Sequence, residues 1–234
     1  MKDVIILINK YSKNTVAVDI PTGVDADKGQ VEGEAIKAKY TVTLAYPKRG
    51  LYLYPGMDYA GKIEVVDIGI PPDLEEDKIN SQLLTPSDIP KNLFFRKLSS
   101  HKGSFGHLLV IAGSPGMTGA ASLTALSALR AGAGLVTLGI PEELNPILEV
   151  KLTEVMTLPL PQNEEKIISR QAFKKIKEFS QKCEAIAIGP GLSSREEIKE
   201  LIKRIILQLD IPLVLDADGI NVLTGEISLL SKYK

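Results

Sequence analysis

With 234 residues and a 44% hydrophobic composition, the chain is long enough for one large domain or two small ones and has ample material for a buried core. Its 28 basic and 29 acidic residues nearly cancel to a net charge of −1, and no run of five or six like charges occurs, which argues against nucleic acid or an anionic membrane as a partner. No stretch approaches the roughly 20 apolar residues of a membrane span, no secretory signal pattern opens the chain, and Cys183, the single cysteine, can form neither an internal disulfide nor a zinc site; the expected compartment is the reducing cytoplasm.

Val4-Ile5-Ile6-Leu7-Ile8 reads as the buried face of a helix or strand at the start of the chain. Three β-branched runs follow, over residues 15–20, 40–45 and 62–68, and read as strands. The first is almost wholly apolar and is expected to be covered on both faces, whereas the other two alternate more and are expected nearer an edge. Pro71-Pro72-Asp73 and the acidic Glu75-Glu76-Asp77 break all periodicity, so a boundary is placed at about residues 71–85, dividing the chain into domains 1–75 and 76–234. Beyond His107 a regular alternation begins. Strands are predicted over 108–112, 135–140, 185–188 and 213–215, and helices over about 119–131, 169–182 and 194–209. Strands alternating with helices imply parallel βαβ units and a layered α/β/α domain.

In an open parallel sheet ligands bind beyond the carboxyl ends of the strands. The first such exit in the second domain is Gly113-Ser114-Pro115-Gly116-Met117-Thr118-Gly119-Ala120-Ala121, a Gly-rich turn opening a helix whose free N–H groups favour an anion. Its spacing is neither a Walker A pattern nor G-x-G-x-x-G, and alone it reads equally well as a tight strand-to-helix turn. Gly189-Pro190-Gly191-Leu192-Ser193-Ser194 is a second exit. Asp216-Ala217-Asp218-Gly219-Ile220-Asn221 is a third, in which either aspartate alone reads most simply as a helix cap. Three such exits from one sheet together describe a cleft for a nucleotide-like ligand.

In the first domain Asp19 ends a strand and can hydrogen-bond a sugar hydroxyl, act as a base, or cap the following turn. Asp25-x-Asp27-x-Gly29 lacks EF-hand spacing, so calcium is rejected. His101 and His107 lack the neighbours of a metal or triad site and read as structural or substrate-contacting.

Taken together these motifs resemble a known family. Val18 to Gly29, Thr41-Val42-Thr43-Leu44 and Val66 to Pro71 resemble the C-terminal part of the Rossmann-like NAD(P)H-hydrate epimerase domain. His101 to His107, Ile111 to Ser114, Met117 to Ala121, Ala131 to Val136, Gly189 to Leu192 and Leu215 to Asn221 resemble the front half of the ribokinase-like, ADP/ATP-dependent NAD(P)H-hydrate dehydratase. The resemblance spans nearly the whole chain, in order, as in the fused bifunctional repair enzymes. It implies an epimerase that interconverts the R and S hydrates of NAD(P)H, and a dehydratase that uses ADP or ATP, with Mg2+, to remove water from the S hydrate.

By this resemblance Asp19 is the catalytic residue, contacting the hydrate near its reacting carbon, and Thr22 helps ligate K+. Ala120 or Ala121 and Gly191, with Gly189, line the hydrate pocket of the dehydratase, while Asp218 and Asn221 shape it or support the phosphate region. A homo-oligomer is implied for the full-length enzyme. The family's opening Rossmann-like half is not in this sequence, nor are its later Pro-His-Pro-Gly-Glu segment, nucleotide-binding loop and Gly-Thr-Gly-Asp motif. The expectation is therefore a fragment, inactive alone, with apolar sheet edges uncovered. Competing readings are a ribokinase-like kinase for a vitamin precursor and a non-catalytic binding module.

Overall fold

The computed structural model describes residues 1–71, 81–89 and 96–232. Contacts divide the chain into two compact units, Met1–Pro90 and Lys91–Lys234. The expected junction between residues 75 and 76 lies outside the described residues.

The first unit contains helix α1 (Lys2–Tyr11), strands β1 (Val16–Val18) and β2 (Tyr40–Leu44), the short helix α2 (Met57–Ala60) and strand β3 (Lys62–Val66). The strands form a parallel sheet in the order β1-β2-β3. Helix α1 docks through buried Ile5 and through Asn9, which donates to Ala35 O at 2.8 Å and accepts from Lys37 N at 2.9 Å. Val4, Leu7, Ile8 and Tyr11 follow helical spacing on another side of α1 and are exposed. The run around Ile5 thus buries one residue rather than a whole face.

The order of burial among the strands also differs from expectation. β2 is central, with Thr41 and Thr43 fully buried and Thr41 Oγ1 donating to Ala60 O at 2.6 Å. In β1 only Ala17 is buried, while Val16 and Val18 are 57% and 73% exposed. β-branched composition marked β1 as a strand, but its coverage depends on neighbours that composition does not report.

The second unit is built from β4 (His107–Ile111), α3 (Thr118–Ala131), β5 (Leu135–Pro141), α4 (Asn145–Lys151), β6 (Met156–Leu160), α5 (Ala172–Ser180), β7 (Ala185–Ile188), α6 (Glu196–Gln208), β8 (Leu213–Leu215) and α7 (Asp218–Asn221). Its five strands are all parallel, in the order β6-β5-β4-β7-β8. Alternation along β4 sends Leu109 and Ile111 to one face, against Phe173 and Ile176 of α5 and the Ile198, Leu201, Ile202 and Ile205 stripe of α6. Val110 and Ala112 go to the other face, against Ala121 and Ala125 of α3 and Leu148 of α4. Helix α3 ends at Gly132, whose φ of 117° lets Ala133 N close back on Ala128 O at 3.1 Å. Helix α4 and strand β6 have no counterpart in the sequence reading, because Pro146 and Pro159 interrupt their patterns. Pro159 is tolerated because β6 is an edge strand of the described sheet.

Candidate functional site

In the second unit the chain builds β4, β5 and β6 in one direction and then crosses back to place β7 on the other side of β4. The exits of β4 and β7 therefore flank the switch point, where neighbouring connections diverge and leave a crevice. Both exits are Gly-rich, and they are bonded to each other. Gly113 N donates to Pro190 O at 2.9 Å, Ser114 Oγ to Gly191 O at 2.8 Å, and Gly189 N to Ile111 O at 3.2 Å. Ser114 is buried, and its hydroxyl clamps one exit to the other.

The glycines here are required by close approach. A Cβ at Gly191 (φ 68°) would stand 2.8 Å from Met117 Cβ and 3.1 Å from Ala120 Cβ, and one at Gly189 (φ 136°) would stand 1.8 Å from Asp216 O. Of the two alanines predicted to line a pocket, Ala120 faces the Gly191 loop, whereas Ala121 is fully buried in the core. The first turn of α3 opens at Thr118 with no side-chain cap, leaving its N–H groups as donors for an anion.

The third exit joins the second. Asp218 Oδ2 accepts from Ser193 N at 2.9 Å, and Asp218 Oδ1 accepts from Asn221 Nδ2 at 3.3 Å and Ser194 Oγ at 3.5 Å. Neither aspartate caps α7, correcting the simplest sequence reading: the N-cap position is Ala217, at φ 47°, with no side-chain cap. Asp216 Oδ1 accepts from Ala217 N at 2.8 Å, while Asp218 is spent on the neighbouring loop. A sequence does not show that two exits lie side by side, so this staple was not legible.

In the first unit Asp19 leaves β1 at φ 67°, with its N–H donating to Val42 O at 2.8 Å. Its Oδ1 accepts from Lys48 Nζ at 2.5 Å, Leu44 N at 3.1 Å and Thr43 Oγ1 at 3.2 Å. Lys48, followed by these hydrogen bonds, holds the Asp19 carboxyl below the usual carboxylate range, so Asp19 is ionised near neutrality. Sequence reading did not single out Lys48. Thr22 is exposed, and its carbonyl is used by Ile36 N at 2.9 Å. Asp25 Oδ1 accepts from Lys28 N at 2.6 Å and Asp27 N at 2.9 Å, making a turn.

Four of the five non-glycine residues with positive φ sit at strand exits: Asp19, Ala45, Ser193 and Ala217. Strained backbone collects where loops are held for function. Other polar groups have structural employment. His107 Nε2 pairs with Thr137 Oγ1 at 2.8 Å, and its ring meets Phe179 edge-on, with burial pulling its pKa down. His101 sits at the N-cap of a short 3-10 turn, Lys102–Phe105. A cavity of about 320 Å³ lined by Lys177, Cys183, Gln208 and Ile211 lies at the amino ends of β7 and β8, away from the exits. Among the described residues no cluster of three His, Cys, Asp or Glu could hold a metal, and no helix is long and apolar enough to cross a membrane.

Residues 108–234 match the family model described as NAD(P)H-hydrate dehydratase, and residues 1–50 match that of the YjeF-related protein N-terminus. The bifunctional NAD(P)H-hydrate repair enzyme Nnr of Moorella thermoacetica is 43% identical over 229 residues, covering 97% of this chain and 43% of that protein. Its counterpart in Salinibacter ruber is 36% identical over 240 residues, covering 100% of this chain and 44% of the relative. The chain thus spans less than half the length of these curated relatives. Among solved structures, the ADP/ATP-dependent NAD(P)H-hydrate dehydratase from Bacillus subtilis, co-crystallized with ATP/Mg2+, is 33% identical with a TM-score of 0.43, covering 53% of this chain and 42% of that one.

Proposed function

Because this chain belongs to the NAD(P)H-hydrate dehydratase family, with a YjeF-type segment ahead of the dehydratase match, we propose that it contributes to repair of hydrated NAD(P)H, carrying part of an epimerase site in its first unit and part of a dehydratase site in its second. The complete activities are proposed for a polypeptide of the relatives' length: epimerisation of the R and S hydrates, then ADP- or ATP-dependent removal of water from the S hydrate. The family match does not favour the vitamin-kinase reading.

The observation that carries the dehydratase reading is the bonding of the Gly113–Ser114 exit to the Pro190–Gly191 exit at the switch point of the sheet. These loops, with Ala120, keep the floor low enough for a flat ring to approach the backbone. The first turn of α3 directs its N–H groups toward an anionic group such as the pyrophosphate of the hydrate. Asp218 and Asn221 act one step back, fixing the Gly189–Ser194 loop. ADP or ATP, with Mg2+, would supply the phosphate that activates the leaving hydroxyl.

In the epimerase part, ionised Asp19 is an acceptor for a hydroxyl of the hydrate. Thr22 offers K+ an exposed residue with a hydroxyl oxygen, beside a carbonyl that accepts from Ile36 N and keeps a second lone pair; no step is routed through the ion. Unpaired Cys183 supports a reducing, cytoplasmic setting. Homo-oligomeric assembly is retained as a proposal for the longer enzyme.

The test is amide NMR of this chain titrated with S-NADHX. Shifts confined to residues 113–121 and 189–194 and to the Asp19 region are expected. Saturation with no shift at the β4 and β7 exits would overturn the dehydratase reading. Turnover of R- and S-NADHX by a polypeptide of the relatives' length, with ADP compared against ATP, then assigns the activities.

A further inference from the structure

Lys48 is one of the less exposed lysines of the chain, with a side chain 26% exposed, and it reaches two acceptors at once: Asp19 Oδ1 at 2.5 Å and Leu44 O at 2.6 Å. Leu44 ends β2 and Asp19 follows β1, so a single ammonium joins two neighbouring strand exits. Both exits turn through left-handed residues, Asp19 at φ 67° and Ala45 at φ 61°, a conformation that needs outside support in residues with a Cβ.

The division of labour between the two carboxylate oxygens is uneven. Oδ1 takes the bonds from Lys48, Leu44 N and Thr43 Oγ1, and Oδ2 accepts none among the described residues. The Asp19 side chain is 39% exposed, which leaves Oδ2 reachable. A surface ion pair contributes little to stability by itself, whereas an ammonium held against one oxygen of a carboxylate orients the other. From this geometry we infer that Lys48 is a positioning residue for the epimerase part: it anchors Asp19 through Oδ1, so that Oδ2 is presented, charged and in fixed orientation, to a hydroxyl group of the hydrated nicotinamide ring. The inference rests on the epimerase reading of the first unit.

The experiment uses the chain as it stands, with the Asp19 carboxyl followed by carbon-detected NMR in the wild type, Lys48→Met and Lys48→Arg, first in a pH titration and then with NADPH hydrate as the probe. In Lys48→Met the Asp19 inflection rises toward that of an unpaired aspartate; in Lys48→Arg it stays low. Hydrate moves the Asp19 resonance in the wild type and binds about tenfold more weakly to Lys48→Met, the loss of roughly one charge-assisted hydrogen bond's worth of orientation, with substantial recovery in Lys48→Arg. Dispersed amide spectra of both variants separate positioning from folding, and the arginine variant keeps the test decisive if the methionine variant unfolds. An Asp19 inflection and hydrate affinity unchanged in Lys48→Met overturn the inference. A hydrate that leaves the wild-type Asp19 resonance unmoved, while the titration still responds to Lys48, overturns the epimerase reading instead.

Discussion

Asp218 accepts the backbone N–H of Ser193 at 2.9 Å, so a carboxylate at the exit of β8 holds a loop at the exit of β7. Ser193 stands at φ 77°, and the staple supports that strained conformation. Replacing Asp218 with Ala leaves a partly buried donor unpaired and should cost about 1–3 kcal/mol, with Asp218→Asn retaining part of it. Urea denaturation at neutral pH measures both, and equal stability of the alanine variant and the wild type would show the bond to be incidental.

Gly189→Ala is expected to be far more damaging. The added Cβ would lie 1.8 Å from Asp216 O, at a φ of 136° that disfavours any side chain. Backbone must move, and a loss above about 3 kcal/mol is expected. Gly119→Ala is the control: apart from its chain neighbours and its own helix backbone, nothing lies within 4 Å of where a Cβ would stand, and alanine in a helix should stabilise by up to about 1 kcal/mol. Thermal melts of the two variants should therefore move in opposite directions.

Acid should weaken the second unit through Glu226. Lys203 at 2.6 Å and Lys199 at 2.9 Å, both on α6, pull the Glu226 pKa from 4.5 down to about 2. A depressed carboxylate stabilises the fold above its unfolded pKa and loses that contribution as the pH falls through the folded value. The wild type should thus lose stability relative to Glu226→Gln between pH about 4.5 and about 2, by a small amount because all three groups are solvent-screened. Parallel pH profiles for the two proteins would reject the linkage.

Cys183 should be inert in the native chain. Burial, and secondarily the charge of Glu184, push its thiol up to about 11, so little thiolate exists at pH 8. Mass spectrometry after iodoacetamide treatment should find Cys183 unmodified in buffer and alkylated in denaturant. Rapid native alkylation would contradict this.

Much of the second unit was legible because its signals are local. Ile198, Leu201, Ile202 and Ile205 spell the buried face of α6 by spacing alone, and β4 shows as an apolar run before a Gly-rich turn. Prolines 146 and 159 hid α4 and β6, since tolerance of proline depends on position in the sheet. The site was legible as a set of exits but not as a set of partnerships. Residues 19 and 48 are far apart in sequence, as are 193 and 218, and only strand order brings each pair together. Residue type likewise does not disclose that Asp19, Ala45, Ser193 and Ala217 adopt positive φ, because that conformation is imposed by the contacts around them.

The crowding at Gly189 bears on how relatives of this chain should be compared. A glycine kept at this position across species would report the carbonyl of Asp216 pressing against it, and would say nothing about a bound molecule. A glycine kept at position 119, where the protein itself leaves open space, would carry the opposite message, that something outside the polypeptide occupies the room.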